Sequence, residues 1–315
     1  MEPIEVQAYC FDDKSKTLSV GTTYGFVVYG LEKKDPYVRY KRTLGSGIGL
    51  ITSLESTGVV GYVGGGKTPY SRANDVEVWD DSSASVVLKK KYENDVKALL
   101  LKRKYLIVVL EQVTIVHKIS CGVTLRYPTC ANPYGLVGFY EKTNCLITLG
   151  EKEGTIGFSK LTNNANDKNE VDSIVTCCKS AITTLVVHSG GLYAVVFCPK
   201  KQSFSFIDLQ SKEKYLVINH QGSTLKQPPF ISMSQVIMTV VCGDSIYIYD
   251  ILKKKNKIYS QKLERTQHAA AFLSSTGGMK LFVIDKSGLL DIYDIDVNAN
   301  QEVSFNLMMS KGLLQ

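Results

Sequence analysis

The segment Ser245-Ile246-Tyr247-Ile248-Tyr249-Asp250 alternates β-branched and aromatic residues and ends on an acid. It follows the apolar run Val236–Val241 across the short linker Cys242-Gly243-Asp244. Side chains on a strand point alternately to its two faces, and residues of these types fit a pleated, half-buried surface. The pair therefore reads as strand, tight turn, strand.

The same unit recurs along the chain. Gly25-Phe26-Val27-Val28-Tyr29, Asp75-Val76-Glu77-Val78-Trp79-Asp80-Asp81, Gln112-Val113-Thr114-Ile115-Val116-His117 and Gly154-Thr155-Ile156-Gly157-Phe158 end the earlier repeats. Ser203-Phe204-Ser205-Phe206-Ile207-Asp208 and Gly288-Leu289-Leu290-Asp291-Ile292-Tyr293-Asp294 complete a set of seven. A second apolar strand precedes most of them: Leu106–Leu110, Cys145–Leu149, Leu192–Phe197, Val236–Val241 and Leu281–Ile284. A period of about 40 residues built from short strands is the mark of WD40-type propeller blades of four strands each. No segment carries a 3.6-residue apolar period of helical length, which excludes a doubly wound α/β fold.

The expected fold class is all-β, a single seven-bladed WD40-type β-propeller over residues 1–315. The repeats place the blades at roughly 5–32, 37–81, 83–120, 122–161, 170–210, 212–252 and 256–296. No blade buries both of its faces alone, whereas stacked neighbours do. The alternating tail 302–308, or the N-terminal segment, is expected to close the ring by completing a blade.

Composition narrows the function. With 44% hydrophobic and 21% charged residues the chain is of ordinary globular make-up, and its 18 tyrosines against one tryptophan suit strands. A net charge of +7 favours approach to anionic surfaces without specifying one. No apolar run reaches the ~18–20 residues that span a bilayer, and the acidic start Met1-Glu2-Pro3-Ile4-Glu5 has no signal-peptide core. The expected location is cytoplasmic.

The eight cysteines include the vicinal pair Cys177-Cys178 and have no metal-site spacing, so they read as reduced thiols. The four histidines, His117, His188, His220 and His268, form no HxxxH or HExxH pattern, and there is no GxSxG elbow. Gly64-Gly65-Gly66-Lys67 lacks the spacing of a phosphate loop. No catalytic residue, metal site or cofactor is expected, and the basic residues are not interleaved with aromatics as in a nucleic-acid-tracking groove.

Several stretches in order carry a resemblance. They are Ser19-Val20-Gly21-Thr22-Thr23-Tyr24-Gly25-Phe26, Leu44-Gly45-Ser46-Gly47-Ile48-Gly49, Val63-Gly64-Gly65-Gly66-Lys67-Thr68-Pro69 and Asn74-Asp75-Val76-Glu77-Val78-Trp79-Asp80-Asp81. Val96-Lys97-Ala98-Leu99, Asn132-Pro133-Tyr134-Gly135-Leu136 and Lys179-Ser180-Ala181-Ile182 continue it. Together they resemble the PROPPIN family, the propellers that bind phosphoinositides in autophagy, most strongly over residues 10–150.

The resemblance implies a non-catalytic adaptor that recruits autophagy-type protein partners to membranes rich in phosphatidylinositol 3-phosphate. It also implies a monomer, peripheral on autophagic or endosomal membranes. In the family a Phe-Arg-Arg-Gly motif gives one arginine to each of two headgroup pockets, where the guanidinium fork matches phosphate oxygens.

This chain has Asn219-His220-Gln221-Gly222 at that place, and no Arg-Arg pair occurs between Lys160 and Lys262. Cys198 and Gln202 stand where a serine and a threonine are expected, Ser205 replaces an arginine, and Val241 replaces a hydroxyl residue, while Ser245 keeps one. A charge-assisted hydrogen bond contributes roughly 1.5–3 kcal/mol, so each pocket is expected to be weakened about ten- to a hundredfold or more.

His220, Gln221, Gly222 and Ser245 thus form a degenerate phosphoinositide site. The basic loop Lys253, Lys254, Lys255 and Lys257 is a second candidate, facing an anionic membrane. Two readings stay open: a membrane adaptor with weakened or lost lipid binding, and a purely protein-binding scaffold.

Overall fold

A computed structural model describes residues 4–12, 16–33, 35–55, 57–162, 170–234, 236–252, 256–265, 267–275, 278–285, 287–298 and 302–314. Side chains of residues 267–278 lie outside this description. The described residues form seven four-stranded antiparallel sheets, each built from four consecutive strands, in a propeller arrangement. The all-β, seven-bladed expectation holds.

Residues 1–174 form one compact unit and residues 175–315 a second. The first unit carries blades one to three, spanning 6–43, 48–91 and 98–128, and most of the fourth, 137–176. The second carries blade five (Thr184–Val187, Tyr193–Cys198, Ser203–Asp208, Lys214–Asn219) and blade six (Phe230–Met233, Ile237–Cys242, Ser245–Asp250, Asn256–Lys262). Blade seven follows with Gln267–Ser275, Gly278–Asp285, Leu289–Val297 and Val303–Gly312.

The repeat endings read from the sequence are the third strands of these sheets, and the apolar runs before them are the second strands. The sequence boundaries differ from the sheets by one strand: in the first six blades the fourth strand, assigned above to the start of the next blade, closes its own sheet. The cause is its pattern. Ser85–Lys91 is exposed at every position except the partly buried Leu88, and Thr124–Pro128 alternates exposed with buried residues. Neither yields the continuous apolar run of a strand covered on both faces. The tail strand extends to Gly312 and pairs with Leu289–Val297, completing the seventh sheet.

Within each unit the sheet faces are buried against neighbouring blades. In the first, Val63, Val76 and Val78 of blade two meet Leu99, Leu106 and Val108 of blade three. In the second, Phe197, Phe204 and Phe206 of blade five meet Met238, Val240, Tyr247 and Tyr249 of blade six.

The glycine-rich turns of the first unit have a packing role. A Cβ on Gly65 would lie 2.4 Å from the Gly49 Cα, so two backbones pass at a distance only glycine allows. The amide of Gly65 donates to the Gly47 carbonyl at 3.0 Å, and that of Gly47 to the Thr68 carbonyl at 2.7 Å. These donors are spent on the fold and do not cradle a phosphate.

Candidate functional site

His220 follows directly on the fourth strand of blade five and opens the connection to blade six. Its amide donates to the Gln202 carbonyl at 2.7 Å. Gln202, in the turn between the second and third strands, has a positive φ of 48°. Its side chain donates to the Pro199 carbonyl at 2.8 Å and accepts from the Leu225 amide at 2.7 Å. One side chain therefore stitches the 199–202 turn to the 220–225 connection and fixes where His220 sits.

The imidazole is turned inward. Nε2 lies 2.9 Å from the Ser223 carbonyl oxygen, and Nδ1 lies 2.5 Å from the Tyr249 hydroxyl. A carbonyl only accepts, so Nε2 carries the proton, and Nδ1 accepts from the tyrosine. The ring stands edge-on to Tyr247 at 4.7 Å and to Phe204 at 6.5 Å. Burial holds its pKa below the ordinary histidine value, the Ser223 carbonyl opposes that shift, and the Lys257 ammonium adds to it. At neutral pH His220 is an uncharged ring with both nitrogens committed to the protein.

Gln221 and Gly222 are exposed. Gly222 has φ +155°, and a Cβ there would lie 3.3 Å from both His220 Nε2 and Tyr247 Cε1. Ser245 shares a face of its strand with Tyr247 and Tyr249, two and four residues on. Its hydroxyl donates to the Asp244 carboxylate at 2.9 Å, so an anion sits directly beside this candidate position. Lys262 lies 3.8 Å from the same carboxylate, an exposed pair of small energetic weight.

The positions flanking the candidate pockets are equally closed. Val241 is fully buried in the core between blades six and seven. Cys198 is fully buried and Ser205 nearly so. Lys200, Lys201 and Lys226 are exposed on the two segments that Gln202 joins.

Of the basic loop, Lys253, Lys254 and Lys255 lie outside the described residues. Lys257 lies in the fourth strand of blade six, paired with Tyr249, not in the loop expected from the sequence. A bulge between Ile248 and Tyr249 shifts the register there, and a bulge re-aims side chains. The Lys257 ammonium sits 5.9 Å over the Tyr247 ring, so the strand brings this lysine beside His220. Sequence reasoning missed the part played by Tyr247 and Tyr249. Their two-residue spacing placed them on one strand face, but nothing in it marked which histidine they meet.

A second concavity lies in the first unit, lined by Cys10, Asp12, Thr52, Glu55, Lys102 and Glu141 among others. Its polar groups are engaged locally: Asp12 accepts the Lys16 amide at 2.7 Å, and Glu55 pairs with Arg103 at 3.0 Å. Among the described residues no group of three or more His, Cys, Asp or Glu side chains is placed to hold a metal ion. No helix among them is long and apolar enough to cross a membrane.

No family model matches the chain. It is 28% identical to SVP1-like protein 2 of Pichia angusta over 197 residues, 61% of this chain and 54% of that protein. It is 28% identical to SVP1-like protein 2 of Debaryomyces hansenii over 228 residues, 68% of this chain and 50% of that one. With Autophagy-related protein 18 of Komagataella pastoris the identity is 24% over 172 residues, 52% of this chain and 31% of that protein. The chain spans about half the length of the curated relatives it matches first.

Among solved structures, Kluyveromyces lactis Hsv2 superposes with a TM-score of 0.82 at 13% identity, covering 98% of this chain and 99% of that one. KlAtg21, in its complex with the coiled-coil of AgAtg16, gives 0.73 at 15% identity, covering 98% and 99%. Fold and strand order define a seven-bladed β-propeller of all-β class. In sequence it is similar to proteins named SVP1-like protein 2 and Autophagy-related protein 18, and it carries no Phe-Arg-Arg-Gly motif.

Proposed function

We propose that the chain acts as one propeller domain, a non-catalytic adaptor in autophagy or endosomal membrane traffic, and that its selective recognition of phosphatidylinositol 3-phosphate is weakened or lost. The single observation that carries this reading is His220, neutral and bonded inward where a guanidinium would be needed. A phosphorylated inositol offers only acceptors and negative charge. A ring whose one N–H already serves Ser223 supplies neither a spare donor nor a cation. Gln221 remains exposed but neutral, and Asp244 adds repulsion beside Ser245.

The protein-binding side of the reading is supported by the likeness to KlAtg21, a propeller solved with a coiled-coil partner. The chain would then recruit autophagy-type protein partners as a cytoplasmic monomer. Membrane contact would be peripheral and electrostatic, through Lys200, Lys201, Lys226 and the 253–257 segment. Such attraction depends on net lipid charge, not on which hydroxyl carries the phosphate, and fades with salt.

Flotation of the purified chain with liposomes tests this. Equal recovery on vesicles holding phosphatidylinositol 3-phosphate and on phosphatidylserine vesicles of matched charge, falling together as salt rises, is the expected result. Strong preference for the phosphoinositide that persists in salt would overturn the lipid part. The purely protein-binding reading is favoured if neither vesicle recovers the chain at physiological salt.

A further inference from the structure

The concavity in the first unit holds a polar group that the fold does not use. Cys10 and Phe11 end the first strand of blade one, Thr52 and Ser53 that of blade two, and Leu100 and Leu101 that of blade three, while Glu141 directly follows the first strand of blade four. The C-terminal ends of four successive first strands thus converge on one cavity of about 50 Å³. Ser53 lies two residues beyond Ile51, on the strand face that packs with Cys10 in the core between blades one and two. It is 7% exposed, and among the described residues its hydroxyl has no hydrogen-bond partner. Buried polar groups are almost always bonded, so a hydroxyl kept unpaired in the wall of a cavity points to something that enters it.

The charge of this wall reverses that of the molecule. The chain carries a net +7, yet the cavity is lined by the carboxylates of Asp12, Glu55 and Glu141 against the single ammonium of Lys102. Arg103, just outside the wall and 66% exposed, is spent on Glu55 at 3.0 Å. Glu141 is half-buried, and among the described residues its carboxylate makes no hydrogen bond or ion pair, although the Arg103 charge reaches it. An anionic cavity on a cationic protein draws in cations and repels phosphates and carboxylates.

We propose that this cavity binds a guanidinium group, carried either by a small guanidinium compound or by an arginine side chain of a peptide. Size selects the group. One water takes about 10–15 Å³ of such space, so the cavity holds about three to five water-sized groups, which suits one carbon and its three nitrogens. Hydrogen bonding selects it further. A guanidinium is all donor and planar, and its fork matches carboxylate oxygens in pairs. The Ser53 oxygen and the Glu141 carboxylate are the acceptors that receive it. A lysine ammonium concentrates the same charge on one atom and fills less of the space. The chain's own Arg103 on Glu55 shows that the contact is of a kind this rim already makes. The inference concerns blades one to four and is independent of any lipid or adaptor role.

The full isotope-labelled chain is titrated with methylguanidinium, with a blocked Gly-Arg-Gly tripeptide and with its Gly-Lys-Gly counterpart, and the backbone amides are followed by NMR. Saturable shifts at Ser53, Leu54, Lys102 and Glu141 are expected below about 10 mM, with the lysine peptide at least about threefold weaker than the arginine peptide or methylguanidinium. An arginine peptide that binds at least as tightly as methylguanidinium assigns the site to a peptide side chain. Binding of methylguanidinium with the peptide excluded assigns it to a free small compound. S53A should weaken binding about threefold or more while melting no lower than the parent, because it removes an unpaired hydroxyl, and E141Q should weaken it about three- to tenfold. Absence of saturable shifts at these amides would overturn the proposal. So would equal affinity for the lysine peptide, shifts confined to acidic turns elsewhere such as that of Asp244, or affinity unchanged in both variants. The mapping uses the unaltered chain, so misfolding of a variant does not decide it.

Discussion

His117 in blade three and His220 beyond blade five are built alike from different surroundings. His117 lies in a regular strand, with Nε2 2.7 Å from the Tyr92 hydroxyl and Nδ1 2.9 Å from Thr124 Oγ1. His220 lies in a connection, between the Tyr249 hydroxyl and the Ser223 carbonyl. Burial lowers the pKa of both, His117 to about 4 with help from Lys90 and Arg126. The difference is in the partners. Two hydroxyls accommodate either tautomer of His117, whereas a carbonyl fixes the tautomer of His220. His220 is thus confined to one neutral tautomer, whereas the ring of His117 inside its sheet is not. Its geometry is that of a structural residue.

The largest expected effect comes from replacing that neutral ring with charge. H220R combined with Q221R returns two guanidinium groups to the 220–222 connection. At roughly 1.5–3 kcal/mol per charge-assisted contact, the gain in affinity for liposomes carrying phosphatidylinositol 3-phosphate should exceed about tenfold, read by flotation titration. No gain in a variant that melts like the parent would show that the flanking residues, Cys198, Val241 and Asp244, block the pockets by themselves.

Acid stability gives the next effect. A histidine whose folded pKa is depressed binds fewer protons folded than unfolded between the two values. Stability is then complete above the unfolded value near 6.5 and declines as pH falls toward the folded one, about 4 for His117. Because the ring is only half-buried, solvent screening trims the loss over that window, which should come to about 1–2 kcal/mol for His117. Chemical denaturation at a series of pH values should show H117Q flattening this limb. An unchanged slope in H117Q would mean that His117 is not the group sensed. H220Q should act in the same direction.

The fold was legible because second and third strands are covered on both faces and read as apolar alternation, as in Val236–Val241 and Ser245–Asp250. Fourth strands such as Ser85–Lys91 were misassigned because they face solvent, and solvent-facing strands carry no apolar signature. At the site, the missing arginines were plain from Asn219-His220-Gln221-Gly222. What replaces them was not, since the Tyr249 hydroxyl and the Gln202 side chain reach their partners across 29 and 23 positions of sequence. The bulge that turns Lys257 over Tyr247 was equally silent, because a one-residue register shift has no compositional cue of its own.

A smaller effect separates the two tyrosines. Tyr249 is fully buried and Tyr92 only partly so. Y249F strips the donor from a nitrogen that the fixed tautomer obliges to accept. It should cost about 1–3 kcal/mol, the range for a buried polar group left unpaired. In Y92F water reaches the freed nitrogen, and the cost should stay nearer about 0.5–1.5 kcal/mol. Equal losses in urea unfolding would erase the contrast between the carbonyl-fixed and hydroxyl-bracketed rings.

The smallest effect probes the charge beside the ring. Lys257 disfavours the protonated form of His220, so K257Q should move that pKa upward. The lysine acts from a partly exposed strand, where salt screens it over a Debye length of about 8–10 Å at 0.1–0.15 M. The shift should therefore be small at low salt and shrink further as salt is added. Titration of the imidazole carbon-bound protons by NMR reads it directly. A downward shift, or one indifferent to salt, would mean that Lys257 acts on His220 through the packing of Tyr247 and not through its charge. The 220–222 connection would then owe its neutrality to burial alone, as His117 largely does.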